Sequence, residues 1–238
     1  MITFDNFTLN AFVKEQDEFL TGARINKIQQ PTRREFVLTL RNNSESRQLY
    51  ININPAFYHV CFMSKENYQK RLIEIPQKPP MFCMLLRKYL ENSRIARVNQ
   101  PDGERILEFF IETYNELGEK IYLCLAIELM SKHSNVILYN TDTDVIIGCA
   151  HNVGAEKSRE REIYGGIPYV YPPKHNVEQT WTSLLNLFES GSVNDLIDNY
   201  YTHFISLDKF KSLKTKYRTL ISQRLKKVVK SLKQMEYK

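Results

Sequence analysis

Glycine is scarce here, with eight residues in a chain of 238. No G-x-x-x-x-G-K-[ST] or G-x-G-x-x-G motif occurs, so phosphate loops of those kinds are excluded. The H-E-x-x-H and G-x-S-x-G signatures are absent too, which removes the commonest zinc-protease and serine-hydrolase readings. Cysteine is limited to Cys61, Cys83, Cys124 and Cys149, with no C-x-x-C pair. Zinc-ribbon and thioredoxin patterns therefore fall away, and reduced thiols in an apolar setting are expected, as in cytosol. His59, His133, His151, His175 and His203 are not spaced as metal ligands. No nucleophile stands in a recognisable pattern with a base. Neither a catalytic residue, a metal nor a cofactor is expected. No apolar run approaches the roughly 20 residues of a membrane helix. The opening MITFDNFTLNAF has no basic stretch and no apolar stretch of a secretory signal. A cytoplasmic protein without membrane contact is the expectation.

What the chain does have is charge at one end. Residues 208–238 hold eleven basic and two acidic side chains, a net +9. The other 207 residues hold 22 basic and 25 acidic groups, a net −3. The overall +6 therefore describes neither part. A strongly basic segment on a slightly acidic body suits either a polyanionic partner or a solvated lysine-rich helix.

The pattern is α+β. A helix is expected over 6–20, closed by Gly22. Strands are expected at 24–29, 35–41, 48–53 and 57–63. Pro79 and Pro80 suit the first turn of a mostly buried helix over 81–90, with Arg87 and Lys88 as a basic corner near its end. A second β-rich half covers 94–99, 105–112, 120–130, 135–139 and 145–149. The strand pattern stops after Pro173. A short helix is expected at about 180–189, then a long one from 193 with Ser192 as its cap and Asp195 as a weaker capping-box partner. Phe210, Leu213, Tyr217 and Leu220, then Ile221, Leu225, Val228, Leu232 and Met235, form a coiled-coil-like seam. Three parts follow: 1–173, a connector at 174–192, and a basic arm at 193–238. The arm is expected to be the first strand of a coiled coil, cut from a longer chain or self-associating.

Five blocks carry a family resemblance. They are Asp5–Glu15 with Ala11-Phe12-Val13-Lys14-Glu15; Ala23-Arg24-Ile25-Asn26-Lys27-Ile28-Gln29-Gln30-Pro31; Pro79-Pro80-Met81-Phe82-Cys83-Met84-Leu85-Leu86-Arg87-Lys88; Glu128-Leu129-Met130-Ser131-Lys132-His133-Ser134-Asn135; and Pro168-Tyr169-Val170-Tyr171-Pro172-Pro173. In this order they resemble the N-terminal region of the NFACT family, whose members include RqcH, NEMF and proteins called fibronectin-binding protein A. The resemblance implies a domain shaped like the N-terminal β-sandwich of formamidopyrimidine-DNA glycosylases, with flanking helices. Met1-Ile2-Thr3 offers no N-terminal proline amine, so glycosylase chemistry is not expected.

The resemblance further implies a non-catalytic role in ribosome quality control. Family members bind the large ribosomal subunit carrying a peptidyl-tRNA nascent-chain complex. They recruit tRNA, alanyl-tRNA in bacteria, and the stalled chain gains a C-terminal tail without mRNA. The family's Asp-Arg pair, linked to tRNA recruitment, falls here on Glu104-Arg105. Glu keeps the charge and moves the carboxylate by one methylene. The plain alternative is a Glu104–Arg105 ion pair at a strand end. Arg105, Glu104, Arg87, Lys88, Lys132, His133, Lys226 and Lys227 are the candidate RNA contacts. The family's helix-hairpin-helix region is shortened to the connector, and its returning coiled-coil arm is missing. Two rival readings are a fibronectin-binding surface adhesin and an inactive glycosylase-like DNA binder.

Overall fold

Asp5 opens the first helix. Its Oδ1 accepts from the Thr8 backbone N–H at 2.9 Å and from the Thr8 hydroxyl at 2.8 Å, an N-cap interaction. The computed structural model describes residues 2–158, 160–174 and 181–236. In it a short strand, β1 (Ile2–Thr3), precedes this helix, α1 (Asn6–Leu20). Leu9, Phe12, Phe19 and Leu20 are its buried face. Thr21 closes the helix, and Gly22 follows at φ +86°. That is the left-handed region in which glycine carries no Cβ penalty.

The first strand group is β2 (Arg24–Thr32), β3 (Glu35–Asn42), β4 (Glu45–Asn52) and β5 (His59–Phe62). Two helices follow, α2 (Lys65–Lys70) and α3 (Met81–Leu90). The second group is β6 (Arg94–Asn99), β7 (Ile106–Tyr114), β8 (Lys120–Glu128), β9 (Asn135–Asn140) and β10 (Ile146–Cys149). Every neighbouring pair in these groups is antiparallel.

The strands of both groups join in one nine-stranded antiparallel order, β10-β9-β8-β7-β6-β2-β3-β4-β5. The join is thin. β2 and β6 share one registered pair, Arg24 with Arg94, and bulges follow Ile25 and Ile95 on the two strands. Bulges bend a strand and locally end its pairing. Side chains from both groups, among them Leu38, Leu40, Phe109 and Leu125, share one apolar cluster. α3 touches β2, β7 and β10 and so reaches both groups. Gly148 on β10 leaves room for this: a Cβ there would sit 3.0 Å from Leu85 Cδ1.

Two local expectations need correction. Pro80 is the N-cap of α3 rather than part of its first turn, and Met81 and Met84 are exposed, so α3 buries only Cys83, Leu86 and Leu90. In place of a short helix at about 180–189, Thr182–Ser183 is a strand, β11, and Leu184–Leu187 is a single 3-10 turn. β11 pairs in parallel with β1. Ser183 Oγ donates to Asp5 at 2.8 Å and accepts from Leu185 N at 3.2 Å, which fixes this short geometry. His175 lies outside the described residues.

The long helix, α4 (Val193–Glu236), begins inside the core. Val193, Ile197, Tyr201 and Ile205 belong to the same apolar cluster as the sheet. Beyond Ile205 every described position is exposed or half-exposed, and the seam residues Phe210, Tyr217, Ile221, Leu225 and Met235 face solvent. The base of the helix is clamped by a buried polar cluster around Arg71 and Asp198, 3.0 Å apart. Lys209 Nζ donates to the Arg71 carbonyl at 2.5 Å.

The start of α4 is also capped from outside. Ser192 Oγ accepts from Asp195 N at 3.3 Å, as expected. In addition, the Glu15 carboxylate on α1 accepts from the backbone of Val193 at 2.7 Å and of Asn194 at 2.9 Å. A carboxylate is favoured at a helix N-terminus. Burial alone would push the Glu15 carboxyl up. Hydrogen bonds from Asn194, Gln16, Val193 and Ser192 outweigh it and hold the group below its ordinary value. Because that value is depressed in the fold, the contribution is present above the ordinary carboxyl range and is lost as pH falls through the depressed one. Glu15→Ala is expected to cost about 1 kcal/mol at neutral pH and close to nothing at acid pH. Urea melts of both chains at two pH values measure this, and an equal loss at both pH values would contradict it.

Candidate nucleic-acid interface

Arg105 stands immediately before β7, whose first residue, Ile106, is buried. Its carbonyl accepts from Leu129 N at 2.8 Å, so the residue is tied to the end of β8. Its guanidinium reaches across to Tyr58, donating from Nη1 to Oη at 3.3 Å. Among the described residues Arg105 forms no ion pair, so the simple Glu104–Arg105 bridge does not occur. Glu104 is instead tied through its backbone: its carbonyl accepts from Gln100 Nε2 at 2.8 Å. Arg105 is half-buried and keeps N–H groups to spare, since a guanidinium carries five. Burial pushes the Tyr58 hydroxyl up and Arg105 opposes that shift. Tyr58 therefore stays a neutral phenol at neutral pH and serves as a fixed acceptor for Arg105.

Lys132 and His133 lie at the same end of the sheet. They sit on a 3-10 turn, Ser131–His133, directly after β8. The turn is held by Ser134 Oγ accepting from Met130 N at 2.8 Å and by Ser131 Oγ donating to Pro55 O at 3.2 Å. Both side chains are exposed. The loops that carry Arg105, Tyr58, Lys132 and His133 are thus tied together at one end of the sheet, a rim fixed by Leu129 N to Arg105 O and Ser131 Oγ to Pro55 O.

The other four candidates are elsewhere. Lys88 pairs with Glu116 at 2.7 Å, beyond the far end of β7. At about 3.4 Å per residue, that end is about 30 Å from Arg105. Arg87 donates to Ile28 O at 2.8 Å and lies 3.7 Å from Glu91, which in turn accepts from Ile28 N. The Arg87-Lys88 corner thus clamps α3 to β2 and to the β7–β8 turn. Lys226 and Lys227 are on α4, about 30 Å past the last buried turn at 1.5 Å per residue.

Tyr58 was not singled out by sequence pattern. It sits in a segment whose alternation reads only as strand, and its partner is 47 positions away in the chain. Nor was the Glu128 cluster. Glu128 is fully buried, accepts from Arg161 Nη2 at 2.5 Å and from the Tyr169 hydroxyl at 2.9 Å, and so fastens the segment after β10 to the sheet. The first and last members of that cluster lie in two of the family blocks quoted above.

Loops of this kind stand on a mixed α/β scaffold with an antiparallel sheet and a long C-terminal helix. The profile described as NFACT N-terminal and middle domains matches residues 5–189, and the chain belongs to the NFACT family. It is 35% identical over 196 residues to the Rqc2 homolog RqcH of Streptococcus suis, covering 82% of this chain and 34% of that protein. It is 31% identical over 174 residues to the Rqc2 homolog RqcH of Bacillus subtilis, covering 72% and 29%. The chain thus spans about a third of the length of these curated relatives. Among solved structures it is similar to the N-terminal part of the fibronectin/fibrinogen-binding protein from Streptococcus suis, with TM-score 0.67 and 31% identity, covering 90% of this chain and 84% of that one. It is also similar to the N-terminal domain of fibronectin-binding protein PavA from Streptococcus pneumoniae, with TM-score 0.67 and 28% identity, covering 91% and 84%. No described helix is long and apolar enough to cross a membrane.

Proposed function

We propose that this chain is the tRNA- and rRNA-facing N-terminal part of a ribosome quality control factor. On this reading it works in the cytoplasm on obstructed large ribosomal subunits. It positions tRNA, alanyl-tRNA in bacteria, for mRNA-independent tailing of the stalled chain. The ribosome makes the peptide bond, so the protein itself catalyses nothing. The observation that carries the reading is Arg105. It falls where the family carries its Asp-Arg pair, it is held by a neutral phenol rather than an acid, and the exposed Lys132 and His133 stand on a turn at the same end of the sheet. A guanidinium oriented in this way can offer its planar fork to a phosphate or a base edge. Glu104 in place of Asp is tolerated on this reading, because the strand end is fixed through the Glu104 and Arg105 carbonyls.

Arg105→Ala is expected to weaken binding to tRNA by about tenfold to a hundredfold, the range for one lost charge-assisted contact. The slope of log affinity against log salt should fall by about 0.7 to 0.9. Filter binding across a salt series measures both. Equal affinity of the two chains would sink the assignment of Arg105.

A second reading rests on the names of the two solved neighbours, fibronectin/fibrinogen-binding protein and fibronectin-binding protein PavA. It requires display outside the cell. Fractionation of intact cells decides between the two.

A further inference from the structure

The outward face of the sheet carries three arginines in a row. Arg24 on β2 is registered against Arg41 on β3 and against Arg94 on β6. Opposed residues share a face, and strands lie about 4.8 Å apart, so the row spans about 10 Å. The adjacent residues Ile25, Leu40 and Ile95 are fully buried, which forces the arginines outward. Asn26, Asn42 and Asn43 complete the walls of a cleft of about 290 Å³.

Like charges placed directly opposite destabilise a sheet. Proteins usually answer such a row with acids, and here none does. Arg24 Nη2 donates to Asn92 Oδ1 at 2.9 Å, Arg94 Nη1 to Gly22 O at 3.0 Å, and Arg41 Nε to Asn43 O at 3.4 Å. All three acceptors are neutral. Among the described residues no carboxylate pairs with any of the three. Glu112, registered against Arg94, is bound by Lys120 at 2.6 Å. Glu45, registered against Asn42, is bound by Arg47 at 2.6 Å. The carbonyl end of α1 contributes about half a negative charge. Arg94 and Asn42 already serve it, through Gly22 O and through Phe19 O at 2.9 Å. That accounts for one arginine of the three.

We propose that this cleft binds consecutive phosphates of an RNA strand, at a site separate from the Arg105 rim. A row of about 10 Å is wider than one phosphate and reaches at least two neighbours along a strand. Guanidinium forks suit phosphate oxygens in pairs. Arg94 is registered against Glu112, so the row lies about 24 Å along β7 from Arg105. That the anion is RNA rests on the function proposed above. That an anion binds rests on the arginines alone.

The test is the double variant Arg24→Gln, Arg41→Gln in the full chain, titrated with unfractionated tRNA over a salt series. The salt slope is expected to fall by about 1.5, two contacts' worth. The melting temperature is expected to hold or rise, because like-charge repulsion is relieved. An unchanged slope overturns the proposal. So does a fall in melting temperature, which would make the arginines part of the fold. Inorganic phosphate is the control ligand. If it raises the melting temperature of the wild-type chain alone while both chains show the same RNA slope, the cleft takes a small anion and the strand proposal fails. A loss confined to Arg105→Ala sinks this site and leaves the family reading standing. Absence of tRNA binding by the wild-type chain sinks both.

Discussion

Asp198→Ala is expected to cost about 3–5 kcal/mol, because it leaves a buried guanidinium without its counter-charge. A typical domain has only about 5–15 kcal/mol in total. Arg71 is 0% and Asp198 2% exposed. Asp198 Oδ1 accepts from Arg71 Nη2 at 3.0 Å, and Oδ2 accepts from Ser64 N at 3.0 Å and Asn67 Nδ2 at 2.7 Å. Arg71 also donates to Thr202 Oγ1 at 2.7 Å and to His59 Nε2 at 3.0 Å. One carboxylate therefore joins β5, α2 and α4. Urea melts read the effect as a lower midpoint. The double change Arg71→Met, Asp198→Leu should cost clearly less, since no charge is left unpaired. If the two variants lose the same amount, the cost is packing and the electrostatic argument fails.

The same cluster sets a pH dependence. An arginine only donates, so His59 Nε2 accepts from it and Nδ1 carries the proton, donated to Phe57 O at 2.6 Å. Burial first, and Arg71 second, push His59 well below its ordinary value. The fold therefore refuses a proton that the unfolded chain takes up below about pH 6.5. Stability should fall as pH drops through that range, by at most about 1.4 kcal/mol per unit. The ring stacks on Tyr201 at 3.9 Å, so a charged His59 would disturb the helix base directly.

Local pattern was enough for α1, α3 and the strands β2 to β10, because each carries its own alternation, turn or breaker. β6 has the bounds expected from Arg94–Asn99, and α1 those expected from 6–20. What pattern could not reveal is association across the chain. Whether two β-rich halves form two sheets or one depends on the short join at Arg24–Arg94, held by backbone bonds such as Ile95 N to Ala23 O and Ile25 N to Ser93 O, each 2.9 Å, between two bulges. Residues 180–189 have helical composition, yet Ser183 is drawn to Asp5, 178 positions away. The candidate site divides along the same line. Arg105 is legible only through the resemblance, from the family's Asp-Arg pair, and Tyr58 and the Lys132-His133 turn join it only through the ends of other strands. Arg87 and Lys88 look like free cations in sequence and are occupied by Ile28, Glu91 and Glu116 in the fold. Arg24, Arg41 and Arg94 look unremarkable one by one and become a charge row only through register.

Removing the arm after residue 212 is expected to separate affinity from selectivity. The structure dictates the cut. Ending at 207 would also delete Lys209, whose ammonium bonds the Arg71 carbonyl and lies 3.8 Å from Glu35. A cut at 212 keeps that anchor and every core residue of α4. It deletes nine basic residues and one acid. The removed seam residues face solvent, so the stability of the body should change by less than about 0.5 kcal/mol. RNA affinity at physiological salt should fall by a hundredfold or more, roughly, with the salt slope reduced by about 2 or more, since each lysine–phosphate contact contributes about 0.7 to 0.9. Such contacts carry little sequence information. The preference for tRNA over a generic single strand should therefore survive, because the rim that fixes Arg105 is intact. Competition binding of the shortened chain measures both quantities at once. A shortened chain that loses the preference first would place recognition on the arm and leave Arg105 with a structural role alone.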